Sequence, residues 1–193
     1  VIHSKQVVSN PTKTFEQRFC IEVLDIILTA GCAMAKQNTS FRKIQAYSDG
    51  SYSKVSGGAC GIYINVENDN IFEYVKEIPY ATDSMIAEIA GLNECLKRIQ
   101  AITRRHRRYS FFILVYIDCE SVYNDLLRVN KRIIVKKRSS QRTYQDLRCD
   151  IKRRCAIIRS FGHILKIELI TGNKKRQHYG HRRADLLSKS FLS

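Results

Sequence analysis

The sequence predicts a mixed α/β fold, a sheet layered with helices, and three observations carry that expectation. From Ile44 the apolar residues alternate with period two through three successive segments, as strands joined by short turns do. Further on, apolar residues return at spacings of three and four, as in helices that bury one face. One segment, residues 109–117 (YSFFILVYI), is apolar almost throughout, as expected of a central strand covered on both sides. The order is three strands, helix, strand, helix, helix, strand, helix, which is a sheet with helices packed on it.

Residues 1–14 are polar, contain Pro11 and read as a loose lead-in. Phe15, Phe19, Val23, Ile26 and Ala30 predict an amphipathic helix over 14–36, with a linker over 37–42. The chain thus divides into an N-terminal extension, 1–42, and a larger domain, 43–193. In that domain, residues 44–49, 59–66 and 71–78 are the three strands. Asp49-Gly-Ser leaves the first, Gly57 and Gly58 open the second, and residues 67–70 make a tight connection to the third, giving an antiparallel meander. Thr82, Asp83 and Ser84 are N-cap candidates for the next helix, whose buried stripe is Met85, Ile89, Leu92, Leu96 and Ile99. After the central strand, a short helix over 120–128 returns the chain. Tyr144, Leu147, Ile151, Cys155 and Ile158 mark a longer helix, residues 163–170 a last strand, and residues 182–191 a closing helix.

Charge points to the partner. Lys and Arg number 33 against 18 Asp and Glu, a formal net charge of +15, which favours a nucleic acid over an anionic membrane surface. A length of 193 residues with ordinary apolar content and two prolines argues against a disordered chain and allows a real core. The seven cysteines form no C-x-x-C pair and are odd in number. Buried free thiols in a reducing, intracellular compartment are expected, not a disulfide framework or a zinc site. No signal peptide is evident, and the apolar stretch 21–35, interrupted by Glu22 and Asp25, is too short to span a bilayer. No membrane partner is expected. Beginning at Val1, the chain is read as a processed product or a piece of something larger.

Against this basic background, four acids stand at the edges of apolar segments. Asp49 closes the first strand, Glu88 lies beside the buried stripe of its helix, Asp118 follows the central strand, and Asp185 opens the last helix. Singly, Asp49 reads as a turn residue and Asp185 as a favourable charge at a helix N-terminus. Glu88 and Asp118 resist such readings, because an unpaired charge beside a core is costly. Converging carboxylates repel one another and lose solvation, so the four together call for a divalent cation. A carboxylate–metal centre in a basic protein points to metal-assisted cleavage of nucleic acid.

Four segments of the chain, in order, carry a family resemblance. They are Tyr47-Ser-Asp49-Gly-Ser51 with the following 57–62 (GGACGI), Ser84-Met-Ile-Ala-Glu88, Val115-Tyr-Ile-Asp118-Cys-Glu-Ser121, and Gly180-His-Arg-Arg-Ala-Asp185. Over residues 44–192 the chain resembles the type 1 ribonuclease H family. The Ser-x-x-Ala-Glu form is similar to the ribonuclease H domains of non-LTR retroelements and their cellular relatives. The resemblance implies a ribonuclease H-like mixed five-stranded sheet, an antiparallel meander plus parallel strands, flanked by helices. It implies magnesium, or manganese, held by Asp49, Glu88, Asp118 and Asp185, and hydrolysis of the RNA strand of an RNA–DNA hybrid by a two-metal mechanism. It also places Gly50, Ser51 and Ser84 against the nucleic acid.

Other positions depart from the family. A histidine often follows the glycine after the last strand and assists proton transfer or product release. Asn173 stands in that place here, and His178 offers an imidazole further along the loop. His181 stands where an asparagine is usual, four residues before the aspartate, and Met85 where many members carry an amide. Basic runs at 104–108, at 131–138 with Lys136, Lys137 and Arg138, at Lys174, Lys175 and Arg176, and at Arg182 and Arg183 are expected to track phosphates. The N-terminal helix has two readings: a cover for one face of the sheet, or a remnant joining this domain to a reverse transcriptase. The leading expectation is a hybrid-cleaving endoribonuclease. The alternatives are a catalytically weak nucleic-acid-binding module of the same fold and a related nuclease acting on DNA.

Overall fold

The structure, a computed structural model, describes residues 41–67, 71–127, 138–172 and 174–192, with only the backbone of residues 138, 139, 174 and 176. The expected helix over 14–36 lies outside the described residues, as do turn residues 68–70.

Five strands form one sheet: β1 (Arg42–Ser53), β2 (Gly57–Val66), β3 (Ile71–Ile78), β4 (Phe111–Ile117) and β5 (Ile164–Leu169), in the order β3-β2-β1-β4-β5. The first three pair antiparallel, as the expected meander requires, while β4 lies parallel to β1 and β5 parallel to β4. The described helices are α1 (Ser84–Arg105), α2 (Glu120–Leu127), α3 (Arg138–Ser160), the single turn α4 (Lys174–Gln177) and α5 (Tyr179–Ser190).

Local chemistry accounts for these elements. Asp83 caps α1, its Oδ1 accepting the Ile86 N–H at 2.9 Å, a contact typically worth about 1 kcal/mol. Arg104 and Arg105 close the same helix at its electronegative end. The predicted stripe of α1 is buried, with Ile89, Leu92, Leu96 and Ile99 fully so and Met85 partly. β1 runs four residues beyond its expected end, because Gly50 to Ser53 stay paired with Cys60 to Gly57. Those positions are polar and glycine-rich, so apolar alternation stops before the ladder does.

Side-chain alternation divides the core between two faces. Ile44, Ala46, Ile62 and Ile64 pack with α1 and α3, whereas Tyr47 and Tyr63 turn to the other face, with Ala184 of α5. Cys60, Cys95 and Cys155 are buried and unpaired, and burial raises the thiols of Cys60 and Cys155 to about 12 and about 11. No helix among the described residues is long and apolar enough to cross a membrane.

One expectation is corrected at the C-terminal end. α5 starts at Tyr179, three residues early, so Asp185 stands in its second turn and does not open it. Gly180, before the expected helix over 182–191, is helical here and lies against the rings of Tyr47 and Tyr63.

Candidate active site

Strand register brings two of the acids together. In the parallel β1–β4 pair, Tyr47 stands opposite Tyr116, and their rings stack with centroids 4.9 Å apart. Two residues further along each chain, Asp49 and Asp118 are neighbours at the carboxyl ends of adjoining strands. Parallel sheets commonly place ligands at such ends.

Two glycines press helices against this strand end from opposite sides. A Cβ at Gly50 would lie 2.3 Å from the backbone nitrogen of Glu88, so only glycine lets α1 rest so low on β1. Gly61 pairs with Asp49 across β1 and β2. A Cβ there would lie 2.0 Å from the Ala184 carbonyl oxygen, so α5 sits directly on the sheet. Glu88 thereby arrives from α1, and His181, Asp185 and Ser188 from α5. Among the described residues, Asp49, Asp118 and His181 each offer a ligand atom, all within 4.8 Å of one another.

The electrostatics of this cluster are unbalanced. Asp49 is buried, and its Oδ2 accepts the Ser188 hydroxyl at 2.5 Å. Ser51 Oγ lies 2.8 Å from Ser188 Oγ and donates to it once that proton goes to Asp49. Burial raises the Asp49 carboxyl, the charges of Asp118 and Asp185 add to the rise, and the Ser188 hydrogen bond and His181 oppose it. Glu88 is raised well above the ordinary range, first by burial and then by Asp49 and Asp118. The Gly50 N–H, which donates to Glu88 Oε2 at 3.0 Å, and Lys175 offset this only in part.

Asp118 Oδ2 takes the Lys175 ammonium at 2.9 Å, with His181 Nε2 at 3.8 Å. Its Oδ1 is buried without a hydrogen-bond partner. Asp185 stands further out and pairs with Lys189 of the next turn at 2.6 Å. A buried carboxylate oxygen with no donor is costly. A divalent cation would satisfy it and remove the repulsion that raises Asp49 and Glu88. The residues therefore fit a metal with hard oxygen ligands.

The other expected site residues are more scattered. The Gly50 N–H is committed to Glu88, and Ser51 to the Ser188–Asp49 chain. Ser84 is the exposed first residue of α1. Lys175, expected on phosphate, instead pairs with Asp118. His178 precedes α5 and is held by Tyr47, whose hydroxyl lies 3.2 Å from its Nδ1, and by the Tyr116 ring. Asn173, Lys136 and Lys137 lie outside the described residues, as do the side chains of Arg138 and Lys174.

One basic run lies away from the acids, and in another Arg183 is engaged within the protein. Residues 104–108 precede β4, at the strand end opposite Asp118. Seven residues of strand at about 3.3 Å each separate them from the acids by about 20 Å. Arg104 and Arg107 there line a separate cavity of about 250 Å³ with Thr103, Phe161 and His163. Arg183 is taken by Glu73 in a two-pronged pair at 2.9 and 2.7 Å.

His181 and Ser188 were not among the expected site residues. A signal was available, because His181, Asp185 and Ser188 are spaced by four and three and so share one face of a helix.

No protein-family model matches the chain, and no curated protein is similar to it in sequence. Solved structures are similar to it. RNase H1 from the halophilic archaeon Halobacterium salinarum superposes with a TM-score of 0.56 at 18% identity, over 78% of this chain and 97% of that one. LC11-RNase H1, isolated from compost by a metagenomic approach, gives 0.54 at 20% identity, over 78% and 99%. The same enzyme in complex with an RNA/DNA hybrid gives 0.50 at 17% identity, over 78% and 99%. The mixed sheet and its flanking helices have the RNase H-like fold of these structures.

Proposed function

We propose that this domain is a divalent-metal-dependent endoribonuclease that hydrolyses the RNA strand of RNA–DNA hybrids. The observation that carries the reading is the Asp49–Asp118 pair at adjoining strand ends, with Glu88 raised beside it and Asp118 Oδ1 left without a partner. Similarity to a ribonuclease H1 solved with an RNA/DNA hybrid supports the substrate class. The net charge of +15 supports a polyanionic partner.

Asp49, Glu88 and Asp118 would hold the cation, magnesium or manganese, and Asp185 would complete the set from α5. Such a cation supplies an activated water and stabilises the leaving oxygen. The chain's own residues do the positioning. Ser188 fixes the Asp49 carboxylate, and the Gly50 N–H fixes Glu88. Lys175 neutralises Asp118 and must release it for the acid to ligate on both oxygens.

Incubation with a labelled RNA–DNA hybrid, duplex RNA and duplex DNA, with and without magnesium, tests this reading. Cleavage confined to the RNA of the hybrid, dependent on metal and leaving 3′-hydroxyl and 5′-phosphate ends, is expected. Hybrid binding without cleavage would favour a binding module. That second reading draws on the pairs Lys175–Asp118 and Lys189–Asp185, which neutralise two of the four acids internally.

A further inference from the structure

We propose that His181 is a nitrogen ligand of the divalent-metal site and that this imidazole selects manganese(II) over magnesium. The inference rests on the preceding reading that Asp49 and Asp118 hold a cation. It goes beyond that reading in naming the ligand that sets which cation is held.

His181 exposes only 7% of its surface, yet among the described residues no hydrogen bond holds its ring. The ring therefore keeps a nitrogen free to act as a ligand. Its Nε2 points at Asp118 Oδ2 across 3.8 Å. That is too long for a hydrogen bond. It is well inside the span of two donors on one ion, which reaches about 4.2 Å when each bond is about 2.1 Å. Asp49 offers a third donor atom within the same 4.8 Å cluster, so a side-chain movement of about half an ångström brings all three onto one ion.

The backbone makes this placement firm. Gly61 lets α5 lie on β2, and His181 stands one turn before Asp185 on the helix that also supplies Ser188 to Asp49. Imidazole is a softer donor than carboxylate. Manganese shares magnesium's oxygen ligands, but as the softer, first-row transition ion it takes an imidazole more readily than magnesium does, and the later dications more readily still. Three carboxylates alone would barely separate magnesium from manganese, and one imidazole tilts the choice.

Direct metal binding to the full chain tests this without reference to cleavage. Manganese(II) affinity is read by electron paramagnetic resonance, magnesium affinity by competition against it, and ligation by nitrogen coupling in the electron-spin-echo envelope of bound manganese. Wild-type protein is expected to show imidazole nitrogen coupling. His181→Asn keeps a polar N–H donor without an equivalent ligand. It should lose that coupling and bind manganese about ten-fold more weakly or worse, the scale on which metal sites respond to losing even supporting groups. Its magnesium affinity should move by no more than about two-fold, since magnesium makes little use of nitrogen. His178→Asn should retain the coupling.

Manganese bound to the wild type without nitrogen coupling would overturn this inference and leave the carboxylate site standing. An unchanged manganese-to-magnesium preference in His181→Asn would do the same, reducing His181 to a donor that orients Asp118. Absence of any divalent binding would overturn both this inference and the proposed function. Should His181→Asn not fold, the wild-type spectrum still decides.

Discussion

Glu88 and Glu94 stand on the same helix, α1, and meet the same problem with opposite outcomes. Glu94 is buried, yet its carboxyl is held below the ordinary range. Burial alone would raise it, but Lys76 at 2.8 Å, Arg98 at 3.0 Å and Lys97 at 3.8 Å outweigh that effect. Glu88 is raised well above the ordinary range, first by burial and then by the charges of Asp49 and Asp118, which the Gly50 N–H and Lys175 offset only in part. A third buried acid, Asp125, resembles Glu94, with Arg148 at 3.0 Å. Burial acts on both glutamates in the same direction, and the sign of the surrounding charge decides the outcome. What marks the site is a buried acid among like charges that nearby cations offset only in part, a pattern associated with function.

The largest effect should come from the acid cluster. Asp118→Asn keeps the shape, removes a ligand charge and removes a repulsion toward phosphate. Hybrid cleavage should fall on the order of 10³-fold or more, the equivalent of several kcal/mol of metal-dependent stabilisation. Hybrid affinity should hold or tighten slightly. Single-turnover cleavage and a binding titration measure the two. Wild-type turnover in this variant would make the acids structural and erase the contrast with Glu94.

The second test compares the two glutamates directly in urea melts of metal-free protein. Glu94→Gln leaves Lys76, Lys97 and Arg98 crowded around a neutral amide and should cost about 1–2 kcal/mol. Glu88→Gln removes a charge that burial and two neighbouring acids already disfavour, so it should stabilise the metal-free fold. Both variants losing stability would show that Glu88 is compensated by something other than a cation.

The pH dependence sharpens the same contrast. Asp49 and Glu88 have folded values above their unfolded ones, near 4. The folded state then binds more protons, so their stabilising contribution is complete below about pH 4 and is lost as pH rises through the raised range. Glu94 has the opposite sign, its contribution being present above about pH 4 and lost as pH falls through its lowered value. Glu88→Gln should flatten the loss on the alkaline side and Glu94→Gln the loss on the acid side. A saturating divalent cation should erase only the former.

The contrast also explains what was legible in the sequence. The meander, the stripe of α1 and its Asp83 cap follow from spacing and local chemistry, which a linear chain displays. Asp49, Glu88 and Asp118 showed as acids at apolar edges for the same reason. Partnerships across the fold left no such trace. Lys175 with Asp118, His181 with Asp118 and Arg183 with Glu73 join residues tens of positions apart, and nothing periodic marks them. Residues 104–108 read as a phosphate-tracking run because charge in a sequence has no direction. Only the parallel register, which sets the start of β4 against its end, removes them from the acids. The polar turn α4 lacked any apolar residue from which to read a period.

The smallest effect concerns a cation that the protein lends to the cluster. Lys175 sits on a single helical turn and is about half as exposed as a free chain would be, so its pair with Asp118 is screened by water. Exposed pairs of this kind contribute about 0.2–1 kcal/mol. A divalent ion that ligates Asp118 must displace that interaction, and the cost of displacement enters its apparent affinity. Lys175→Met keeps the length and removes the charge, so magnesium should bind about two- to five-fold more tightly, the factor corresponding to that energy. Isothermal titration measures it, and Lys189→Met should act in the same direction through Asp185. Weaker magnesium binding in Lys175→Met would instead mean that the ammonium holds Asp118 in its ligating orientation. Lys175 would then belong with Lys76 and Arg98, as a cation that supports its acid, and not with the ion it was taken to precede.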